Sequence, residues 1–512
     1  MNSTASNVAS FLLEGKEPTR VALRLIDADH TYGSLQSASL DIARCLACAG
    51  GRKGDRAILL AENSFFWVAA YLGILRSGLV CVPLPATTSG PELSYILQTT
   101  EPRFAFLQAK LVPKHRATLD GLSLVTDHEV ADSGLRPVTS LVKIQSGVTP
   151  TGPALPAVAR DDLAALMFTS GSTGRPHGVM VSHGNIIANT ESIVDYLKLT
   201  DGDRMMTVLP FHYCFGTSLM HTHLRVGGSL VIDLRFMYPE VVLERMQDTE
   251  CTGFAGVPSH FQILLRSSSL KSKTFPHLRY LQQAGGHLAP AFIRDLRDAL
   301  PSAQVFVMYG QTEATARLAY LPPESLESKL GSIGKGIPGV RLRVLNESGD
   351  EVQRGEVGEI VAEGENITQG YWRAPEESAK CFRQGRLYTG DLATVDDEGF
   401  IYVVDRAKEF VKCGGRRVSC RQLEERLLEF DGLLEAAVVG VPDDILGEAV
   451  RAFVVPRKPD HRELEERLRL FCKAHMPYQL VPREFVIVDS LPKNSSGKVL
   501  RPRLKALPGV VS

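Results

Sequence analysis

The sequence lacks the features that would tie it to a polyanion, a bilayer or a disulfide framework. Its 57 Lys and Arg balance 58 Asp and Glu, for a formal net charge of −1. That balance leaves no electrostatic footprint for nucleic acid, and none is expected as a partner. The longest apolar run, "FFWVAAYLGIL" at residues 65–75, ends at Arg76. It is too short to span a bilayer and reads as a buried helix, so no integral membrane association is expected. The opening stretch, MNSTASNVASFLLEGKE, has no basic segment followed by a long apolar one, which argues against a signal peptide. The nine cysteines are scattered, which suits a reducing cytoplasm. Cys45 and Cys48 form a CxxC without a second pair or a strand-to-helix setting. Buried thiols on a helix are expected there rather than a metal or redox site.

What is present is an ordinary globular composition, with 44% hydrophobic and 22% charged residues. At about 150 residues per domain the 512 residues suggest two to four domains. Strand-like runs alternate with amphipathic helices: "RAILLAE" (56–62), the apolar helix, "LVCVPL" (79–84), "FAFLQA" (104–109). This rhythm predicts an α/β fold with mainly parallel sheets. The Pro-, Gly- and Thr-rich stretch at 140–162 reads as a surface linker. After about residue 330 the texture changes to short strands and turns, as in a small antiparallel barrel reaching to about 405. From about 407 the pattern is a small α+β unit, with "EAAVVGV" and "VRAFVVP" as strands and 461–475 as a helix. A domain boundary is placed near Asp405–Lys408.

One loop stands out. "FTSGSTGRPHGVM" (168–180) follows the strand-like "LAALM" and precedes a helix capped by Ser182, with Ile186, Ile187, Ile193, Val194 and Leu197 on its apolar side. Glycines let the backbone approach a ligand and present N–H groups, and hydroxyls add donors. A polyphosphate is the natural guest. The loop is not the GxxxxGK[ST] of P-loop NTPases, since no Lys-Ser or Lys-Thr follows its glycines. Four further stretches fit a nucleotide. In "MYGQTEAT" (308–315), Thr312 suits a phosphate and Glu313 a Mg²⁺ that also takes phosphate oxygens. "YTGD" ends in Asp391, a carboxylate suited to ribose hydroxyls. "VVDRAKEFVKCGGRRVS" carries the guanidinium of Arg406, and "LPKNSSGKVLR" presents Lys498 in a Ser/Gly turn.

Together, in this order, these motifs resemble those of the adenylate-forming (AMP-binding) superfamily, over roughly residues 10 to 505. The texture is closer to acyl- and aryl-CoA ligases than to peptide-synthetase modules. The resemblance implies a large N-terminal domain of layered sheets plus a small barrel (1–405), and a mobile α+β C-terminal domain (406–512) hinged at Lys408. It implies a ligase that uses ATP and Mg²⁺ to form an acyl-AMP and pyrophosphate, then passes the acyl group on. By the same resemblance Thr169, Ser170, Gly171, Ser172, Thr173 and Gly174 hold the β- and γ-phosphates. Ala284, Gly285 and Gly286 lie beside adenine and acyl group. Tyr309 flanks the adenine, in a turn continued by Gly310 and Gln311. Thr312 touches the α-phosphate, Glu313 the Mg²⁺, and Asp391 and Arg406 the ribose. Lys498 reaches the carboxylate and α-phosphate in the first half-reaction. Two positions depart from the pattern. His177 stands where a lysine is usual and neutralises less charge, unless Arg175 compensates. Arg417 stands where many CoA ligases carry Gln.

"LPFHYCFGTSLMHTHL" (209–224) resembles the acyl-pocket segment, with His212 as an aromatic gate between acyl tunnel and nucleotide. It contains no acidic residue to pair an α-ammonium, so an acid without an α-amino group is expected. Phe254, Gly256, Val257 and Pro258 are expected in the same pocket and suggest an apolar guest. The implied acceptor is CoA. An amino acid, as in relatives such as coronafacic acid ligase, or a carrier-protein thiol are the alternatives, and a non-catalytic nucleotide-binding protein of the same fold is a further one.

Overall fold

The computed structural model describes residues 6–130, 138–146, 153–169, 176–406, 410–413, 416–443, 447–457, 463–477, 480–493 and 499–507. At Arg406 and a few other positions it describes the backbone alone.

Two sheets carry the first two-thirds of the chain. One has seven strands in the order Val138–Ser140, Ser123–Thr126, Phe104–Leu107, Arg56–Leu60, Val80–Leu84, Leu163–Thr169, His177–Ser182. All its pairings are parallel except the last, which folds back from Thr169 to His177. The other has nine strands, with Gln304–Tyr309, Tyr280–Gln283, Gly253–Gly256, Arg204–Thr207, Ser229–Ile232 and Val21–Arg24 as a parallel centre. Strands covered on both faces read as unbroken apolar runs, and Val80–Leu84 and Gly253–Gly256 are buried throughout.

Helix Phe65–Arg76 is apolar all round because it lies inside the core formed between the layers; ten of its residues are buried. Ser64 caps it by accepting from the Trp67 N–H at 3.2 Å. Helix His183–Leu197 starts at Ser182 with a reciprocal cap: the Asn185 N–H bonds the Ser182 hydroxyl, and the Ser182 N–H bonds the Asn185 side chain. Ile186, Ile187, Ile193 and Leu197 are buried as the periodicity predicted, with Val194 partly so.

Beyond residue 330 the short strands form a five-stranded antiparallel sheet: Val340–Leu345, Gly358–Gly364, Arg386–Val395, Phe382–Arg383 and Ile401–Arg406. A second five-stranded sheet follows, built on the hairpin Leu433–Asp443 and Gly447–Pro456, with Glu484–Ile487 alongside. Helix Leu464–His475 packs through Leu468 and Cys472.

Two sequence expectations need correction. The stretch at 140–162 is not linker from its start: Ser140 ends a strand and Leu141–Ser146 is a helix that packs through Leu141. Cys45 and Cys48 do lie on a helix, Tyr32–Cys48, but Cys48 is exposed and Cys45 only half-buried. They occupy its last turn, where the buried stripe has ended at Leu46. Among the described residues no helix is long and apolar enough to cross a membrane.

Candidate active site

In an open parallel sheet, ligands gather at the carboxyl ends of the strands. Here three neighbouring strands end together, at Gly256, Gln283 and Tyr309, and Leu163–Thr169 of the other sheet ends facing them. A cavity of about 1120 Å³ occupies that edge. Thr169, His177, His212, Pro258, Gly285, Gly286, Tyr309, Gly310, Gln311, Thr312, Glu313 and Asp391 all line it, although they are spread over more than 200 positions.

The turns at the strand ends need glycine. A Cβ on Gly310 would stand 2.0 Å from the Ala316 carbonyl oxygen, which holds the 310–315 turn closed on itself. Gly285 has φ +81° and lies against Val257 and the Tyr213 hydroxyl. These two positions bring main chain, rather than side chain, to the cavity surface.

The polar groups on this wall are tied to one another. The Tyr309 hydroxyl donates to Asp391 Oδ2 at 2.6 Å. Asp391 sits on Arg386–Val395, and the backbone of Arg406 is its register partner on the next strand. Thr312 Oγ1 donates to Cys214 Sγ at 3.4 Å. The Tyr371 hydroxyl donates to Glu313 Oε1 at 2.8 Å, and Thr368 holds the Glu313 carbonyl through its N–H at 3.0 Å and its hydroxyl at 2.9 Å. Burial, then the Glu313 charge, raises the Tyr371 pKa far above the usual phenol range, so it stays a donor. Two nitrogens on the wall are buried without a partner: Nε2 of His212 and Nε2 of Gln311. Burial holds the His212 pKa near 4, so its ring is neutral at neutral pH. Orphaned donors and acceptors at a cavity wall are what a polar ligand satisfies.

The opposite wall comes from the C-terminal region. Arg421, Glu424, Glu425, Glu435, Lys493 and Arg501 face the cavity. They pair as Lys493–Glu435 at 2.6 Å and Arg501–Glu424 at 2.7 Å. Two contacts cross to His287 on the other wall: His287 Nε2 meets Glu425 Oε1 at 2.5 Å, and Arg421 Nη2 lies 2.5 Å from His287 Nδ1. Burial first, then the Arg421 charge, lowers the His287 pKa to about 4 despite the carboxylate. The ring is therefore neutral, donating through Nε2 and accepting at Nδ1. Glu425 is pushed down to about 2; burial opposes the shift, and His287 and Arg421 outweigh it.

Several expected site residues are placed otherwise. Ser170, Gly171, Ser172, Thr173, Gly174, Arg175, Lys408 and Lys498 lie outside the described residues, as does the Arg406 side chain. Lys493 and Val499, on either side of the Lys498 segment, pair with one another and line the cavity. Ala284, Gly256 and Val257 are buried behind the cavity surface. Phe254 belongs on the other face of the sheet: strand alternation turns it into the core around Phe261 and Leu281, away from Ala255 and Val257. Sequence reasoning missed Tyr371, Tyr213 and the His287–Glu425 contact. The only sequence mark of Tyr371 is the aromatic pair in "QGYWR", which does not say that its hydroxyl reaches Glu313, 58 residues away.

Comparison with known proteins matches this architecture. Residues 14–372 match the family described as AMP-binding enzyme, and residues 422–498 its C-terminal domain. The chain belongs to the AMP-binding enzyme family. It is 32% identical to a feruloyl-CoA synthase of an Amycolatopsis species, over 94% of this chain and 95% of that one. It is 31% identical to a 2-succinylbenzoate–CoA ligase of Bacillus licheniformis, over 97% and 99%. Among solved structures it resembles the o-succinylbenzoate CoA synthetase of Bacillus subtilis in complex with its acyl-adenylate intermediate, with TM-score 0.84, 27% identity and 99% coverage of both chains. It also resembles ATP-bound MatB of Rhodopseudomonas palustris, with TM-score 0.87, 28% identity and 98% coverage of both.

Proposed function

We propose that this member of the AMP-binding enzymes is an ATP-dependent carboxylic acid–CoA ligase working in the cavity described above. In the first half-reaction a carboxylate oxygen attacks the α-phosphorus of ATP. The α–β phosphoanhydride bond breaks, acyl-AMP forms and pyrophosphate leaves. In the second, the CoA thiol gives up its proton and attacks the acyl carbon, and AMP leaves.

Phosphoryl transfer needs positioning and charge neutralisation more than covalent help. The residues of this wall suit that task. Tyr309 would lie against the adenine while its hydroxyl orients Asp391, and Asp391 with Arg406 would take the ribose. The backbone of Ala284, Gly285 and Gly286 would border adenine and acyl group. Thr312 would meet the α-phosphate, and Thr169 to Gly174 the β- and γ-phosphates. Glu313, held by Tyr371 and Thr368, is a carboxylate fixed in place for a cation. Among the described residues no three His, Cys, Asp or Glu side chains form a metal cage. A Mg²⁺ held by Glu313 together with the nucleotide would supply charge neutralisation at the phosphates. His212, neutral and with a free ring nitrogen, would separate acyl group from nucleotide without adding charge. Lys498 would supply the cation between carboxylate and α-phosphate. We further propose that residues 406–512 turn about Lys408 to withdraw Lys498 once the adenylate exists. The location we propose is the cytoplasm, in keeping with eight free cysteines among the described residues.

The observation that carries the reading is the joining, in one cavity, of the Tyr309–Asp391 pair and the Tyr371-held Glu313 on a chain that aligns end to end with CoA ligases. The test is product mass spectrometry with ATP, Mg²⁺ and a panel of carboxylic acids, offering CoA and amino acids together. An acyl-CoA mass is the expected result. An N-acyl amino acid would reassign the acceptor, and pyrophosphate release with no acid would remove the assignment.

A further inference from the structure

Beside Cys214 of the cavity wall lies a positive charge with no carboxylate partner among the described residues. Arg317 follows the 310–315 turn and is 1% exposed, among the largest fully buried side chains of the protein. Its Cζ stands 4.4 Å from the centroid of the Phe215 ring, and the guanidinium hydrogen-bonds the Tyr196 hydroxyl. Its Nε and Nη2 are buried without a partner, and it forms no ion pair among the described residues.

The surroundings of this guanidinium are fixed by strand alternation. Tyr280, Gln282 and Ala284 turn toward helix Cys214–Val226, because the Tyr280 hydroxyl meets His223 Nε2 at 2.8 Å. Gln282 is in register with Ala255 and Phe306 on the neighbouring strands. It is wholly buried, and both atoms of its amide lack partners. Met308 shares the face of Phe306, receives the Tyr196 hydroxyl on its sulfur at 3.0 Å, and lines the cavity. Cys214, next to Phe215, lines it too. Gln282 therefore faces the layer between sheet and helix, and Arg317 reaches the same helix at Phe215 and acts on Cys214, which lines the cavity while Arg317 and Gln282 lie beneath its surface.

An uncompensated buried charge is costly, and so is an unpaired amide. Both costs fall when a ligand brings the missing partner. The chemistry of that partner is set by the atoms left open. Nε and Nη2 form one edge of the guanidinium, with two parallel N–H donors that match the two oxygens of a carboxylate. We propose that the acid activated by this enzyme is a dicarboxylic acid: one carboxylate is adenylated in the cavity, and the other is bound by Arg317, with the Gln282 amide as the further polar contact of the same layer. Met308, unbranched and adaptable, is the part of the floor that gives way to it. The inference rests on the acid-ligase reading and replaces its apolar guest by one that is charged at the far end.

The test sets aliphatic dicarboxylic acids from malonic to suberic, and aromatic dicarboxylic acids, beside their monomethyl esters and simple monocarboxylic acids. The readout is pyrophosphate release with ATP and Mg²⁺. For the best diacid, kcat/KM is expected to exceed that of its half-ester by ~100-fold, the scale set by leaving a buried charge unpaired. In Arg317→Met that preference is expected to vanish or invert while the half-ester is still adenylated, which also reports that the variant is folded. Arg317→Lys is expected to restore part of the preference. A wild-type protein that uses half-esters or monocarboxylic acids as well as diacids overturns the inference, and leaves the acid-ligase reading standing. So does an Arg317→Met variant with an undiminished preference for the diacid. If Arg317→Met does not fold, the wild-type ratio decides alone. Pyrophosphate release with no acid of any class overturns the underlying reading as well.

Discussion

The two walls of the cavity are made of different materials. The wall from the large sheets is built of hydroxyls that hold two carboxylates and a thiol in place: Tyr309 on Asp391, Tyr371 on Glu313, Thr312 on Cys214. The wall from the C-terminal region is built of charges paired among themselves, and its Glu425 and Arg421 meet the first wall at the neutral ring of His287. Short hydroxyl-to-carboxylate hydrogen bonds hold geometry; partly exposed ion pairs exchange partners at small net cost. One wall is suited to hold a nucleotide in a fixed pose, the other to approach and leave.

The sharpest way to break that comparison is Lys498→Ala. It removes the cation proposed for the first half-reaction and changes no residue of the first wall. Adenylation is expected to fall by ~10³-fold, the scale of removing one group that meets developing transition-state charge. The melting temperature and ATP binding should stay close to wild type. A large drop in either would mean that the two walls are not separable.

Acid should act on the buried histidines of the large sheets before it acts on Glu425 of the second wall. His183, His212, His260 and His287 have pKa values near 4 and His221 near 3, in each case led by burial. An unfolded histidine takes its proton at about 6.5. The unfolded chain therefore binds more protons than the folded one between about pH 6.5 and 4, and stability falls as pH drops through that window. Glu425 is shifted in the same direction but acts at lower pH: its contribution is complete above about 4.5 and fades as pH falls toward 2. Thermal melts from pH 7 downward should show most of the loss already by pH 4. A melting temperature that stays flat to pH 4.5 would show that these rings are not held neutral.

Tyr371→Phe tests how much of the first wall is orientation. It deletes the hydroxyl that donates to the Glu313 carboxylate and keeps the ring against Phe382. The Mg²⁺ concentration needed for half-maximal activity is expected to rise ~10-fold, the effect of loosening a group that orients a metal ligand. A change in kcat with the Mg²⁺ dependence untouched would instead place Tyr371 against the reacting atoms.

The same contrast decides what was legible in the sequence. The strands, the apolar helix 65–75, the Ser182 cap and the change of texture near 330 are local patterns, and they appear where periodicity put them. Tyr309, Thr312, Glu313 and Asp391 share a motif with the family, and the structure gathers them at one edge. What the sequence hid is long-range. The Tyr371–Glu313 bond spans 58 residues, His287–Glu425 spans 138, and neither has a local signature. Phe254 was misplaced for a smaller reason. In a strand buried on both faces every position is apolar, so composition does not say which side chain faces the pocket and which the far core. Arg317 was passed over because a lone arginine after a turn reads as a surface residue until its burial is known.

The smallest expected effect sits where the phosphate loop rejoins the sheet. His177 is the register partner of Thr169, and its ring lies 5.4 Å from that of Tyr371, the residue that holds Glu313. Two consequences of His177→Lys oppose one another. An ammonium adds one full positive charge beside the expected polyphosphate site, worth ~1 kcal/mol in a half-exposed setting, and should lower the ATP KM several-fold. Losing the imidazole removes a ring contact that helps to keep Tyr371 in place. If charge is what the site lacks, the ATP KM falls and the Mg²⁺ dependence does not move. If the ring contact matters more, the ATP KM rises and the Mg²⁺ dependence shifts with it, as in Tyr371→Phe. The direction of the KM change thus says whether a histidine stands there for the phosphate or for the tyrosine.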